Sequence, residues 1–287
     1  MRYCCIQRHR RQYSIRMMCR LLTVSRSGYY NWVDRGESIR AQKDRELSVL
    51  ICQLHKQSDG VYGARKLHHE LKGLGHSCGR HRVARIMRQA GIKGYPKRRF
   101  RHYKKNTPSY PIADNLLDQN FTALRVNERW TSDITYISTR QGWLYLAVVM
   151  DLYSRRIVGW SMNRRLSRHL AVDAFNMALG MRQPKEGLVH HSDRGAQYTS
   201  DDYRHLLQKH HVECSMSGRG NCYDNAVVES FFSLLKRERI RRKTYRTRDE
   251  ARSDIFDYIE RFYNRKRIHG YLGYTSPIEY EDRSIRP

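Results

Sequence analysis

Three carboxylates stand out in a chain otherwise short of acids. Asp133 lies inside the apolar run RWTSDITYIST, Asp193 closes the short run GLVHHSD, and Glu229 falls within NCYDNAVVESFFSLLKRER. A carboxylate in or at the end of a buried strand needs a partner or a chemical task, because desolvating a charge is costly. Carboxylates from three separate elements can converge on two divalent cations, roughly 3.5–4 Å apart, through oxygen alone. That pairing suits in-line displacement at a phosphodiester: one ion acidifies and aims a water or sugar hydroxyl, the other stabilises the departing 3′ oxygen, and no covalent protein intermediate forms. Taken singly, each acid is better explained as the partner of one of the many arginines; the three together point to a metal site.

Other side chains group around the trio. Lys236, two helical turns beyond Glu229 and on the same face, could hold a scissile or neighbouring phosphate. Gln197 could contact a base or sugar, and Gly195 would let backbone approach DNA. Asp151, at the end of GWLYLAVVMD, could replace one member of the trio, although a turn cap before YSRR is the simpler reading. Asp224 reads as the N-cap of the helix that carries Glu229. His190 and His191 rank below the acids as ligands or as a general base, since hard cations prefer oxygen. Ser192 lacks a nucleophile elbow. The 20 tyrosines contain no Arg-His-Tyr grouping that would mark a tyrosine recombinase.

The elements that must carry these residues follow from periodicity. RWTSDITYIST, GWLYLAVVMD and RRIVGWSMN are β-branched and aromatic runs, read as three successive antiparallel strands. SRHLAVDAFNMALGMR reads as a helix, GLVHHSD as a strand, YTSDDYRHLLQKHH as a helix and VECSMS as a strand. On the next helix Val227, Val228, Phe231, Leu234 and Leu235 form one stripe, and Asn225, Glu229, Ser233 and Lys236 form another, turned away from the core. The order βββαβαβα implies an α/β fold, a mixed sheet with flanking helices. A small all-α region precedes it. IRMMCRLL and VSRSGYYNW read as one helical pair, and YGARKLHHELKGLGHSCGRHRVARIMRQAG as a second, with Leu67, Leu71 and Leu74 facing Val83, Ile86 and Met87. In that second pair Arg80, Arg82, Arg85 and Arg88 lie mostly away from the apolar set, as on a recognition helix in a DNA groove or on the solvated face of a packing module. The boundaries are a basic helical region over 1–50, a helix-turn-helix domain over 51–94, a basic Pro- and aromatic-bearing linker over 95–120, and the catalytic core with its C-terminal extension over 121–287.

Composition fits nucleic acid. The 287 residues carry 55 Lys+Arg against 28 Asp+Glu, a formal charge of +27, so the natural partner is a polyanion. Residues 1–125 hold 27 basic and 8 acidic side chains, a net +19, which leaves +8 for the remaining 162. The front of the chain is thus the stronger nucleic-acid binder. With 39% hydrophobic residues the chain is globular rather than a disordered basic tail. No stretch has the length or apolarity of a membrane span or a secretory signal, which implies a cytoplasmic protein and no membrane partner. Seven cysteines without a CxxC pair suggest reduced thiols rather than a disulfide framework or zinc finger.

The spans WTSDITYI, GWLYLAVVMDLYSRRIVGWSM, HHSDRGAQYTS, SMSGRGNCYDNAVVESFFSLLK and FYNRKRIHGYLGYTSPIEY resemble the second-frame protein of the IS-three family of bacterial insertion-sequence transposases. That family shares the retroviral-integrase catalytic core. Its hallmark is an Asp, Asp, Glu trio with 35 residues between the last two; here positions 194 to 228 number 35. Its basic residue seven beyond the Glu is matched by Lys236. The resemblance extends over nearly the whole chain and implies a ribonuclease-H-like core, two Mg²⁺ or Mn²⁺ ions, and cleavage and strand transfer at the terminal inverted repeats of double-stranded DNA. It also implies a copy-out, paste-in route through a joined-end circle, a homo-oligomer on DNA, and fusion to an upstream-frame product with its own helix-turn-helix and leucine zipper. No sustained heptad occurs in this chain. Two other functions use the same features: a non-catalytic DNA-binding regulator of the element, and a ribonuclease-H-type nuclease that hydrolyses without joining.

Overall fold

The computed structural model describes residues 1–95, 122–217 and 225–285. The linker expected over 95–120 lies, from residue 96 onward, outside them, as does Asp224. At the front, α1 (Arg2–His9), α2 (Ile15–Leu21) and α3 (Arg26–Asp34) close on a small core of Ile6, Met18, Cys19 and Tyr29. The Ser25 hydroxyl caps α3 by accepting the Gly28 N–H at 2.9 Å.

The helix α4 (Ile39–Gln57) then runs without a break through residue 50, where the sequence reading placed a boundary. Its 19 residues contain neither Gly nor Pro, and Leu47 and Ile51 keep one buried face on both sides of that point. Next come α5 (Ala64–Gly73) and α6 (Arg80–Gln89), packed through Leu67, Leu71, Val83, Ile86 and Met87. Leu74 differs from the expectation: it follows the last turn of α5, is 58% exposed, and precedes Gly75, whose φ of +83° turns the chain away.

The sheet holds β1 (Arg129–Thr139), β2 (Gly142–Asp151), β3 (Ile157–Asn163), β4 (Val189–Ser192) and β5 (Glu213–Met216) in the order β3-β2-β1-β4-β5. The β1–β2 and β2–β3 pairs are antiparallel, whereas β1–β4 and β4–β5 are parallel. With α7 (Arg168–Arg182), α8 (Asp201–Lys209) and α9 (Ala226–Glu238) between and after the strands, the βββαβαβα order appears as read.

Strand alternation assigns the two faces. Trp130 and Ile134 of β1 join α7 and α8 in one core, whereas Ile137 joins the α9 side in the other. Gly159 of β3 lets α7 lie close, since a Cβ there would stand 2.8 Å from the Ala178 Cβ. The α9-side core is continuous with that of α4, α5 and α6. It also takes in α10 (Arg248–Phe256) and the π-helical turn Asp257–Tyr263 that continues it. The last helix is α11 (Pro277–Ile285).

Candidate active site

Register sets the first two acids side by side. Parallel pairing of β1 with β4 runs from Arg129↔Val189 to Ser132↔Ser192, and Asp133 and Asp193 are the next residues on their respective chains. Both carboxylates are partly exposed at the end of that pairing. Asp133 Oδ1 accepts the Ile134 N–H at 2.7 Å, and Asp193 Oδ1 accepts the Gly195 N–H at 2.9 Å. Both charges act on the Tyr198 hydroxyl, which is buried without a hydrogen-bond partner among the described residues. Burial first, then the neighbouring Tyr203, Asp133 and Asp193, hold that phenol protonated well above its usual range.

The third acid depends on how α9 is anchored. Asn225, at the N-cap position, is buried: its Oδ1 accepts from Thr131 Oγ1 at 2.6 Å and its Nδ2 donates to the Ser132 carbonyl at 3.2 Å. The amide side chain therefore ties the start of α9 to β1 beside Asp133. This corrects the expected placing of Asn225 on the outward stripe. Glu229 follows one turn later and is exposed. Val228, Phe231 and Leu235 form the buried face together with Phe232, while Val227 and Leu234 are half-buried.

Among the described residues, no three His, Cys, Asp or Glu side chains stand close enough to hold one metal ion in common. Asp133 and Asp193 are thus aligned, whereas Glu229 is on a neighbouring element without closing the trio. The aligned pair fits a hard divalent cation in donor type, offering accessible carboxylate oxygen where the β1–β4 pairing ends. Residue 195 must be small for this arrangement, because a Cβ there would come within 2.8 Å of Asp193 Oδ1 and 3.1 Å of Gln197 Oε1. Gly195 therefore makes room for the Asp193 carboxylate and brings Gln197 up beside it.

The residues flanking the pair have structural roles. His190 is fully buried, with Nε2 2.7 Å from Ser132 Oγ and 3.2 Å from the Tyr203 hydroxyl, and burial depresses its pKa to about 3. His191 points between Ser215 and Ser217, at 2.9 and 3.2 Å. Asp151 accepts the Asn127 and Tyr153 N–H groups, both at 2.8 Å, so it caps the turn after β2; burial raises its pKa to about 6. Lys236 stands with Nζ 5.0 Å from the Tyr136 ring centroid.

The four arginines of α6 divide into two pairs. Arg82 Nε and Arg85 Nη2 bind the two oxygens of Asp44 on α4, at 2.7 and 2.6 Å, while Arg80 and Arg88 are exposed. Spacing on α6 alone could not reveal this, because the partner lies on another helix.

Comparison with known proteins fixes the family. Residues 123–222 and 229–285 match two families described as integrase core domains, and residues 41–100 match the HTH-like domain family. The transposase InsF for insertion sequence IS3A of Escherichia coli (strain K12) is 41% identical over 287 residues, covering 99% of this chain and all of that protein. The chain belongs to the IS3 transposase family. An uncharacterized 31 kDa protein of insertion element IS600 from Shigella sonnei is 43% identical over 266 residues, 93% of this chain and 98% of that protein. The HTLV-2 integrase catalytic core domain in complex with magnesium is a more distant likeness, with 14% identity and a TM-score of 0.43 over 55% of this chain and 98% of that one. The chain is therefore a DNA transposase, with an integrase core behind an HTH-like domain and DNA as its partner. No helix among its described residues is long and apolar enough to cross a membrane.

Reasoning from sequence missed the residues that hold this transposase together. Glu238, at the end of α9, is buried and takes Arg267 in two hydrogen bonds, Nε to Oε2 at 2.8 Å and Nη2 to Oε1 at 2.7 Å, with the Tyr258 hydroxyl at 2.8 Å. Beside it, the Tyr62 hydroxyl donates to the Lys266 carbonyl and accepts the Ile268 N–H, both at 2.9 Å, which ties the HTH-like domain to the C-terminal segment. Asn264 pairs both ways with the backbone of Ile157 on β3, at 3.0 and 2.9 Å. The polar residues inside FYNRKRIHGYLGYTSPIEY were the available signal.

Proposed function

We propose that Asp133, Asp193 and Glu229 together form the metal-holding and catalytic site, binding two divalent ions, Mg²⁺ or Mn²⁺, for cleavage and strand transfer at the terminal inverted repeats of the element. The observation that carries this reading is the Ser132↔Ser192 register, which sets Asp133 and Asp193 at the same level on neighbouring strands, with α9 tied to β1 at Asn225. The bound metals would supply Lewis acidity and charge neutralisation at phosphorus. The chain's own groups do the rest. Carboxylate oxygens on two neighbouring chain segments, just past the last β1–β4 pair, define where a phosphate must lie, and Glu229 joins them from the first turn of α9. Lys236, two turns along that helix, grips a neighbouring phosphate, and Gln197 contacts a base or sugar beside Asp193. Attack goes in line by water or a 3′-hydroxyl, without a covalent protein intermediate. Domains of a basic front, a helix-turn-helix unit and a catalytic core bring long duplex DNA to this edge, with Arg80, Arg82, Arg85 and Arg88 as candidate contacts. The transposase works as a homo-oligomer on DNA, alone or joined to an upstream-frame product, in the bacterial cytoplasm at the nucleoid.

The test is Mn²⁺-dependent cleavage and joining of labelled branched DNA by the wild-type chain beside Glu229→Gln, at matched folding and DNA affinity. Joined products from wild type alone are expected. Equal activity in both proteins would remove Glu229 from the site, and hydrolysis without joining would make the chain a nuclease.

A further inference from the structure

Between Ser132, where pairing with β4 ends, and Thr139, which bridges in parallel to Tyr245, no strand among the described residues pairs with β1 on its β4 side. Asp133 begins this unpaired stretch on the α9 face, and Tyr136 lies three residues further along, roughly 10 Å at strand rise, on the opposite face. Tyr136 is 57% exposed, and Trp143 of β2, also 50% exposed, meets it with ring centroids 5.1 Å apart and planes at 86°. Two large aromatic rings thus form an open right-angled corner at the tip of the β1–β2 hairpin. Lys236 stands over the Tyr136 ring although α9 packs on the opposite face of the sheet, so its ammonium reaches past the open edge. Arg140 is exposed at the hairpin turn, and Arg248 donates from Nε to the Trp143 carbonyl at 3.0 Å.

Burying neither ring costs the fold apolar contact, and no packing need within the sheet explains both. A flat corner bordered by cations has the chemistry of a base-stacking platform in a backbone-tracking groove. We infer that Tyr136 and Trp143 stack an unpaired base of the DNA being processed, the strand passing round the edge of β1 between that base and the phosphate at Asp133. Lys236 then holds the phosphate next to that base. The occupant is a DNA strand because the corner lies on the strand that carries Asp133 and its neighbours are cationic. The position relative to the cut rests on the proposed role of Asp133; the stacking itself does not.

The experiment uses the full chain in EDTA, so that no chemistry is required. Forked duplexes carry 2-aminopurine as the unpaired terminal base, with a fully paired duplex of the same sequence as reference. Wild type should quench the 2-aminopurine fluorescence and prefer the fork, and Tyr136→Ala and Trp143→Ala should each lose roughly tenfold of that preference, the scale of one stacked base. Tyr136→Phe, which keeps the ring, should retain it, and unchanged thermal melting would show that the alanine variants fold. Quenching and fork preference that survive in both alanine variants would overturn the inference. A change in oligomeric state with DNA binding intact would overturn it as well, by making the occupant protein. Loss of strand transfer by Glu229→Gln tests the acidic trio separately, because fork binding in EDTA does not depend on it.

Discussion

Two sets of carboxylates in this transposase have opposite surroundings. Glu238 is buried and enclosed by Arg267 and Tyr258, and burial's upward push on its pKa is outweighed by the Arg267 guanidinium, which holds it below the usual glutamate range. Glu281 is likewise buried, between Arg182, Arg156 and Ser154, at 2.5, 2.7 and 2.6 Å. Asp133 and Asp193 instead lie partly exposed where the β1–β4 pairing ends, each accepting a backbone N–H close by in sequence. A carboxylate wrapped by guanidinium is committed to the fold. One at the open end of a parallel pair can turn its oxygens towards a cation or a phosphate-bound metal.

Neutralisation should separate the two sets. Asp133→Asn or Asp193→Asn removes a site oxygen charge at little structural cost, so cleavage and joining should fall by on the order of 10²–10³-fold or more, the scale of losing one transition-state contact. Denaturation midpoints should stay near wild type, and the two rates are read from the same branched-DNA assay. A large drop in stability with retained specific activity would assign these aspartates to the structural set. Glu238→Gln should do the reverse. Leaving Arg267 buried without its counter-charge should cost about 3–5 kcal/mol in denaturant unfolding, while the folded fraction keeps its strand-transfer rate.

Much of this contrast was legible in the sequence, and the rest was hidden for identifiable reasons. Asp133 and Asp193 were readable because an acid in a β-branched run violates the local pattern, and α9 because its apolar residues recur at helical spacing. The succession of strands and helices along the chain followed from alternation and run length. Glu238 was unreadable: at the charged end LLKRER it looks like one more solvated residue, and only Arg267, 29 positions later, encloses it. Asn225 was misplaced because helical phase says which face a residue shares, not that β1 comes up against that face at the N-terminus. The spacing between the three acids was also beyond periodicity, which orders residues along elements and carries no distance between them.

A buried neighbour of the site gives a pH-dependent contrast of intermediate size. His190 has a folded pKa of about 3 against an ordinary 6.5, and burial is its leading cause. Between those values the unfolded chain binds a proton that the folded chain does not, so this group's stability contribution is present above pH 6.5 and is lost as pH falls. Going from pH 7 to pH 5 should cost about 2 kcal/mol through His190 alone. His190→Gln, which cannot titrate, should lose less over the same interval when unfolding free energies are compared at both pH values. An identical slope in the two proteins would show that the ring already accepts its proton in the fold, through movement of Ser132 or Tyr203.

The same division between inward and outward charge holds for the arginines of α6, with the smallest expected effect. Arg82 and Arg85 are partly buried against Asp44, whose carboxyl they hold below the usual aspartate range, with Arg85 the larger influence. Arg80 and Arg88 are exposed on the same helix. A phosphate competing for Arg82 or Arg85 must displace a carboxylate, whereas one approaching Arg80 or Arg88 displaces water and small ions. Arg80→Ala and Arg88→Ala should therefore each lower the slope of log affinity against log salt by about 1, uniformly across DNA sequences. Arg82→Ala should change that slope less and disturb the α4–α6 packing more, seen as a lower melting temperature. If Arg82→Ala and Arg85→Ala gave the larger slope changes, DNA would have to replace Asp44 as their partner on binding, and α6 would exchange an internal ion pair for phosphate contacts.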